Sequence, residues 1–474
     1  MRQPARKDPR TLLFLLLPLA LALLSCRAFY AAAGMLPSPT PSPTVQPTRP
    51  LASPTRSPSP EPTRSPGVER ATPPPTFPYQ TQAATATPLP LQLQRSIFQD
   101  VWETVRDQYL YPDYGGLDWE AVYAENLGKI EAGLSSAAYY DLIDEMIYAL
   151  GDDHSFYLSP EEVAEEDARY QGEVNYVGIG VLLTAIPERQ RAVILSVFPN
   201  SPAEAAGLRS RDLILTVEGE PILNEDGSLK TLIRGLEGTQ VTIRVQTPGE
   251  EPRQVTLLRR AITSHQDVPH LLLTSPQGKR VGYILLVTLT DQTIDDQFGK
   301  ALKALSAEGP LDGLIIDNTQ NEGGTDTVTK GILEHLVQGT AGYFVSRDDE
   351  RPLIIRSGQD IQGSQQVPLV VLVGPNTASF GEIFAGVLQD LGRATLIGET
   401  TDGNVETLWG YEFEDGSRLW LAHEVFRPLN HPEADWEQTG IIPDLQVPVR
   451  WDEYAVENDP LVLRALAYFD RLKP

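Results

Sequence analysis

The spacing of apolar positions changes character several times along the chain. Residues 12–24 are almost uninterrupted in apolar character, and residues 36–90 are almost devoid of it. Beyond Ser96 the residues Ile97, Val101, Val105 and Tyr109 recur every three to four positions, the period of a helix with one buried face; Ser96 with Gln99 has the form of a capping box. The same pattern predicts helices over 119–130 and 137–150. Past residue 170 it breaks into short β-rich runs between Gly and Pro. These predict a strand that residues 177–181 lead into, another over 192–197, a short helix within 199–208 stopped by Gly207, a strand and turn over 212–219, a helix ending at Leu236, and a hairpin to Leu258. From 263 onward, residues 281–287, 314–317, 369–373 and 394–397 are continuously apolar, as in strands covered on both faces, with helices expected over 298–305, 327–336 and 381–388. The pattern divides the folded part into a helical unit (91–168), a mostly-β domain (169–262) and an α/β core (263–474), preceded by segments 1–35 and 36–90.

Composition explains the two leading segments. Arg2, Arg6, Lys7 and Arg10 precede an apolar run too short for the ~20 residues of a membrane-spanning helix. A basic stretch followed by a short apolar one is the pattern of an export signal. Leu23-Leu24-Ser25-Cys26 resembles a bacterial lipoprotein cleavage site and makes Cys26, the only cysteine, the candidate for lipidation. A free cysteine in a signal anchor and ordinary cleavage after Ala31-Ala32-Ala33 are the alternatives. Either way the bulk of the chain is expected outside the cytoplasm, secreted, periplasmic or held at the membrane by a lipid or by the signal itself. In 36–90, 17 of 55 residues are Pro, with too little apolar surface to offset the entropy of folding, so this segment reads as a spacer.

Charge and cysteine content narrow the function. Of the net −26, residues 1–35 carry +4 and 36–90 carry +2, which leaves −32 on 91–474 and argues against a nucleic-acid partner. One cysteine excludes a disulfide framework, a cysteine zinc cluster and iron–sulfur ligation. His423 and His431 are too far apart for a short helical metal pair, and Asp152-Asp153-His154 has no partner cluster in the sequence. No metal and no cofactor are expected.

Two motifs carry candidate chemistry. Asn376-Thr377-Ala378-Ser379-Phe380-Gly381-Glu382 joins an apolar strand to a helix, which stands Ser379 at a helix N-terminus where negative charge is favoured. Serine is also a common N-cap, so the motif alone leaves both readings open. Upstream, Asp317-Asn318-Thr319-Gln320-Asn321-Glu322-Gly323-Gly324 ends another strand, where a glycine pair either lets the backbone approach a ligand or simply turns the chain.

Residues 170–262 resemble a PDZ domain, with Val177, Gly178, Ile179 and Gly180 in the loop that captures a peptide carboxylate while the peptide adds as a strand. The ordered set of motifs over 94–450 resembles the S41 serine peptidases, the C-terminal-processing and tricorn-type proteases: Asp153-His154-Ser155-Phe156-Tyr157, the PDZ-like region, Asn321-Glu322-Gly323-Gly324, Ser379-Phe380-Gly381-Glu382 and Gly440-Ile441-Ile442-Pro443-Asp444. The resemblance implies a crotonase-like α/β core, a peptide or protein substrate, Ser379 as nucleophile, and an oxyanion hole from Phe380, Gly323 and Gly324. C-terminal-processing members use a lysine 25 residues after the serine; here that position is Asn404, which cannot take the serine proton. The tricorn-type branch uses a histidine of the helical unit and a glutamate before the Gly-x-x-Pro-Asp motif, matched here by His154 and Glu437. In that branch a serine precedes the histidine, where this chain has Asp153. Competing readings are a structural His154, with His423 as the second candidate base, a surface role for Glu437, and an inactive peptide-binding scaffold.

Overall fold

The computed structural model describes residues 89–152, 154–170, 176–262 and 268–473. The expected export signal, Cys26, residues 36–88 of the expected spacer and Asp153 lie outside the described residues.

Helix α1 (Leu91–Gln108) buries Ile97, Phe98, Val101, Trp102 and Val105 on one stripe. It starts before Ser96, so the expected capping box falls inside the helix, where Gln99 donates to Glu103 instead. The start moves back because the buried Gln94 amide ties the incoming chain down, donating to the carbonyls of Leu89 and Leu134. Helices α2 (Trp119–Glu131) and α3 (Ser136–Tyr148) are capped by the side chains of Asp118 and Ser135, which accept from the Ala121 and Ala138 N–H groups. Strand β1 (Phe156–Leu158) and helix α4 (Pro160–Tyr170) follow. The helical stripe packs onto Leu419, Leu421 and Ala422, some 300 residues away, so this unit shares its core with the C-terminal part of the chain.

The mostly-β domain contains β2 (Tyr176–Gly178), β3 (Val181–Ile186), β4 (Arg191–Val197), the short α5 (Pro202–Ala205), β5 (Leu213–Val217), β6 (Glu220–Pro221), β7 (Gln240–Gln246), β8 (Arg253–Leu258) and β9 (Arg260–Ile262). The sheet runs β3-β4-β5-β7-β8, antiparallel throughout, with β6 on β5; β2 pairs with β9. Strand β3 is an edge. The helix expected up to Leu236 is only a single 3-10 turn, Thr231–Ile233. There the Arg259 guanidinium takes the carbonyls of Leu232 and Ile233, acceptors that a longer helix would need for its own ladder.

The core comprises β10 (His270–Thr274), β11 (Arg280–Leu285), α6 (Ile294–Ser306), β12 (Gly313–Asp317), α7 (Asp326–Glu334), β13 (Gly339–Val345), β14 (Glu350–Ile355), β15 (Leu369–Val373), α8 (Phe380–Asp390), β16 (Ala394–Gly398), β17 (Thr407–Glu412), β18 (Arg418–Pro428), α9 (Trp436–Thr439), β19 (Leu445–Gln446) and α10 (Pro460–Arg471). One sheet runs β10-β11-β12-β15-β16-β19, parallel from β11 onward. Every residue of β12 and β15 is buried, as continuous apolar strands covered on both faces must be. Helices α6, α7 and α8 cover one face. The other face packs against α10 and against Val193, Leu195 and Leu213 of the mostly-β domain. A second sheet, β1-β18-β13-β14 with β17 also on β18, joins the helical unit to the core through the pairing of Phe156 with Trp420.

Candidate active site

Loops from the carboxyl ends of the adjacent parallel strands β12, β15 and β16 meet at Ser379, the position where open α/β sheets place their ligands. Ser379 precedes α8 with φ 53° and ψ −129°, a backbone conformation that costs a non-glycine residue energy and persists only where its neighbours impose it. They do: the Ser379 N–H donates to the Asn404 carbonyl at 2.7 Å, and the Ser379 carbonyl accepts from Glu382 and Ile383. The Ser379 side chain makes no capping hydrogen bond to the helix it introduces.

The β12 loop is locked against this turn. Asn318 donates its amide to the Gly381 carbonyl, Asn321 donates to the Asn318 side chain, and Ala378 N–H donates to the Asn321 carbonyl. Gly323, at φ 96°, lies so close that a β-carbon there would stand 2.7 Å from the Ser379 β-carbon and 3.0 Å from the Phe380 nitrogen. Its own N–H is committed to the Asn321 side chain at 2.9 Å. Among the described residues, the N–H groups of Phe380 and Gly324 donate to no other group.

His154 and Glu437 meet across 283 residues of sequence: Nε2 of the buried imidazole lies 2.7 Å from Oε1 of the carboxylate. The other oxygen of Glu437 accepts the N–H groups of Val405 and Glu406 at 2.7 and 3.1 Å. The Asp152 carboxylate holds the turn that carries the imidazole, accepting the N–H groups of His154 and Ser155 and the Ser155 hydroxyl; Ser155 in turn accepts from Ala422 on β18. The backbone carbonyl of Asn404 therefore takes the Ser379 N–H, while the next two N–H groups take Glu437. Among the described residues, no hydrogen bond joins the Ser379 hydroxyl to His154, and none reaches Nδ1 of that ring. His423, the second candidate base, instead bonds the Gln108 carbonyl and stacks on Trp409 with ring centroids 4.2 Å apart.

Comparison with known proteins agrees with this architecture. The profile of peptidase family S41 matches residues 280–447, that of the tricorn protease C1 domain residues 92–148, and that of a PDZ domain residues 193–247. The carboxyl-terminal-processing protease of Synechocystis sp. is 28% identical over 393 residues, covering 82% of this chain and 89% of its own. Carboxyl-terminal-processing peptidase 3, chloroplastic, of Arabidopsis thaliana is 28% identical over 75% of this chain and 69% of its own. A solved photosystem II D1 C-terminal processing protease is 26% identical, with a TM-score of 0.50 over 75% of this chain and 92% of its own. The chain belongs to peptidase family S41. It is a serine-type peptidase with an inserted PDZ domain. Among the described residues, no helix of this S41 peptidase is long and apolar enough to cross a membrane.

Two further carboxylates flank the loop that passes Ser379. Glu382 is fully buried and accepts from the Thr401 hydroxyl and from the N–H groups of Gly403 and Asn404, so Asn404 serves the loop through its backbone. Burial pushes the Glu382 carboxyl up to about 7, against the pull of those three donors. Glu406 is also buried; one oxygen accepts the Tyr111 hydroxyl, and the other has no partner and lies 3.6 Å from His154 Nε2. Burial, and then the Glu437 charge, push Glu406 up to about 8. Sequence reasoning did not single out Glu406 or Tyr111. The one local signal was an acid between Val405 and Thr407 at the entrance to an apolar strand.

In the PDZ domain, Tyr176 occupies the space beside the glycine-flanked loop: its hydroxyl accepts from Val181 N–H, and its ring lies 2.6 Å from where a β-carbon on Gly178 would be. Val177 pairs with Ala261, and Ile179 is fully buried. The domain reaches the core through Arg211, buried with φ 74°, whose guanidinium binds Asp317 at 2.8 Å, pairs with Asp459 and stacks on Trp451. Burial alone would lower the Arg211 pKa, but the facing Tyr283 and carboxylates raise it on balance. Asp317 also accepts the Thr319 hydroxyl, at the start of the loop that leads to Gly323.

Proposed function

We propose that this S41 peptidase is an extracytoplasmic endopeptidase that works through a Ser379–His154–Glu437 triad in place of a Ser–Lys dyad, held at the membrane through a lipid on Cys26 or through its signal. The observation that carries the reading is the 2.7 Å His154–Glu437 bond, whose carboxylate accepts from the loop that also receives the Ser379 N–H. With Nε2–H given to Glu437, the Nδ1 lone pair is the one available to the serine. Substrate entry brings the Ser379 hydroxyl and Nδ1 together; catalytic hydrogen bonds are often long before substrate binds. The Ser379 oxygen then attacks the scissile carbonyl as its proton passes to Nδ1. The resulting oxyanion is held by the N–H groups of Phe380 and Gly324, which donate to no other group among the described residues; Gly323 serves by leaving room. Collapse expels the amine, which takes the proton from Nδ1, and water hydrolyses the acyl-enzyme by the same route.

The names of the relatives suggest trimming of protein C-termini, and the PDZ domain fits that role. Strand β3 is an open edge on which a peptide can add, and its terminal carboxylate would displace the Tyr176 hydroxyl from Val181 N–H. The buried Arg211–Asp317–Thr319 link supports gating of the oxyanion loop by that event. A fluorophosphonate probe on the purified protein tests the triad. Labelling at Ser379 that vanishes in His154→Ala is the expected result; labelling that survives that change refutes the base assignment.

A further inference from the structure

The neighbourhood of His154 contains a donor set that takes two members from the triad and adds a third, Glu406, that the triad does not use. His154 Nε2, one oxygen of Glu406 and one of Glu437 lie within 4.8 Å of one another. They come from three separate segments, which is why sequence spacing gave no metal-binding pattern. The Glu406 side chain is only 3% exposed, its second oxygen has no hydrogen-bond donor, and that oxygen faces His154 at 3.6 Å. A buried carboxylate oxygen without a partner is costly and is relieved by a proton or by a cation. One imidazole nitrogen with two carboxylate oxygens is a donor set suited to zinc, whereas magnesium and calcium prefer oxygen alone.

We propose that His154, Glu406 and Glu437 form a zinc site that switches the peptidase off. Ligand atoms around tetrahedral zinc stand ~3.3 Å apart, given bonds of ~2.0–2.1 Å. The 3.6 Å pair already fits that spacing, and the 2.7 Å pair needs Glu437 to withdraw by roughly half an ångström. Glu437, 21% exposed, and the partly exposed Tyr111 mark the side from which the ion enters and where water completes the coordination. Zinc takes the Nε2 lone pair, and the single proton of the neutral ring moves from Nε2 to Nδ1. The ring then has no lone pair for the Ser379 proton, and the Glu437 carboxylate is drawn to the metal. Binding is independent of the triad reading; inhibition rests on it.

The test uses the full chain, stripped with a chelator and titrated with Zn2+ against a chromophoric competitor. One equivalent should bind, Glu406→Gln should weaken binding at least tenfold, and Mg2+ in tenfold excess should not compete. Zinc should raise the melting temperature of the wild type and not of Glu406→Gln, whose own melt shows that it folds. Zinc should also abolish fluorophosphonate labelling, with recovery on adding EDTA. Equal zinc affinity in wild type and Glu406→Gln, or no binding to either, overturns the site. Binding without labelling in any condition upholds the site and removes the triad, whereas labelling untouched by bound zinc overturns the switch.

Discussion

The loop from Thr401 to Glu406 has a buried carboxylate on either side, and the two are treated differently. On the Glu382 side, three donors converge on the carboxylate: Thr401, Gly403 and Asn404. On the Glu406 side, one oxygen has Tyr111 and the other has nothing, with an imidazole and a second carboxylate close by. Both acids are pushed up by burial, to about 7 and about 8; the donors restrain the first, while the Glu437 charge adds to the second. A buried carboxyl with its hydrogen bonds made is a clamp, and it fixes the loop that receives Ser379. A buried carboxyl with one oxygen unpaired, 3.6 Å from an imidazole nitrogen that is already bonded to a second carboxylate, is where a proton or an ion has somewhere to go.

The largest effects should fall on the incomplete side. His154→Ala should lower acylation by about 10^6-fold and Glu437→Gln by about 10^4-fold, since losing the base removes the reaction path and losing its partner misplaces the tautomer. Burst kinetics with an activated ester measure both. Equal losses would mean that Glu437 does more than orient. A pH profile of activity that rises only in alkali would point to a lysine base and erase the distinction between the two sides.

Gly323→Ala comes next. Its positive φ disfavours a β-carbon, and the new methyl would meet Ser379 and the Phe380 nitrogen at 2.7 and 3.0 Å. Acylation should drop by about 10^2 to 10^3-fold, the cost of a displaced oxyanion donor, with KM little changed. A loss confined to thermal stability would make this glycine a packing residue alone.

What the sequence disclosed follows from how local each signal was. The buried strands β11, β12, β15 and β16 were readable as apolar runs, because a strand covered on both faces needs no partner pattern to betray it. Ser379 stood out in its own motif only as one of two readings, and His154 and Glu437 were accessible only through a resemblance, since nothing between residues 154 and 437 announces that β1 will pair with β18 and bring the imidazole across. The helix ending at Leu236 failed because a distant residue, Arg259, takes its carbonyls. Glu406 was passed over for the same reason as the metal set: its neighbours Tyr111, His154 and Glu437 come from three other stretches of chain.

Glu382→Gln should have a smaller effect, seen in stability. The folded chain keeps a proton on Glu382 up to about pH 7, whereas the unfolded chain releases it near the usual 4.5. This group therefore favours the fold fully below 4.5, and that contribution is lost as pH rises through 7. Between pH 5 and 8 the stability of Glu382→Gln relative to wild type should rise on the order of 3 kcal/mol, read from urea midpoints at each pH. A pH-independent difference would mean that Glu382 is ionised throughout and that its three donors outweigh burial.

The smallest effect belongs to His423→Ala, and its value is as a control on the contrast. His423 bonds a backbone carbonyl of α1 and stacks on Trp409, whose indole is 42% exposed. Removing the ring should cost about 1 kcal/mol of stability or less, the scale of an exposed aromatic contact, and leave fluorophosphonate labelling at the wild-type rate. Because His154 and His423 lie on chemically similar rings in one sheet-linked region, only the buried, carboxylate-facing one should register in catalysis. Loss of labelling in His423→Ala, with the fold intact by circular dichroism, would transfer the base to the half-buried ring and leave the His154 cluster to the metal alone.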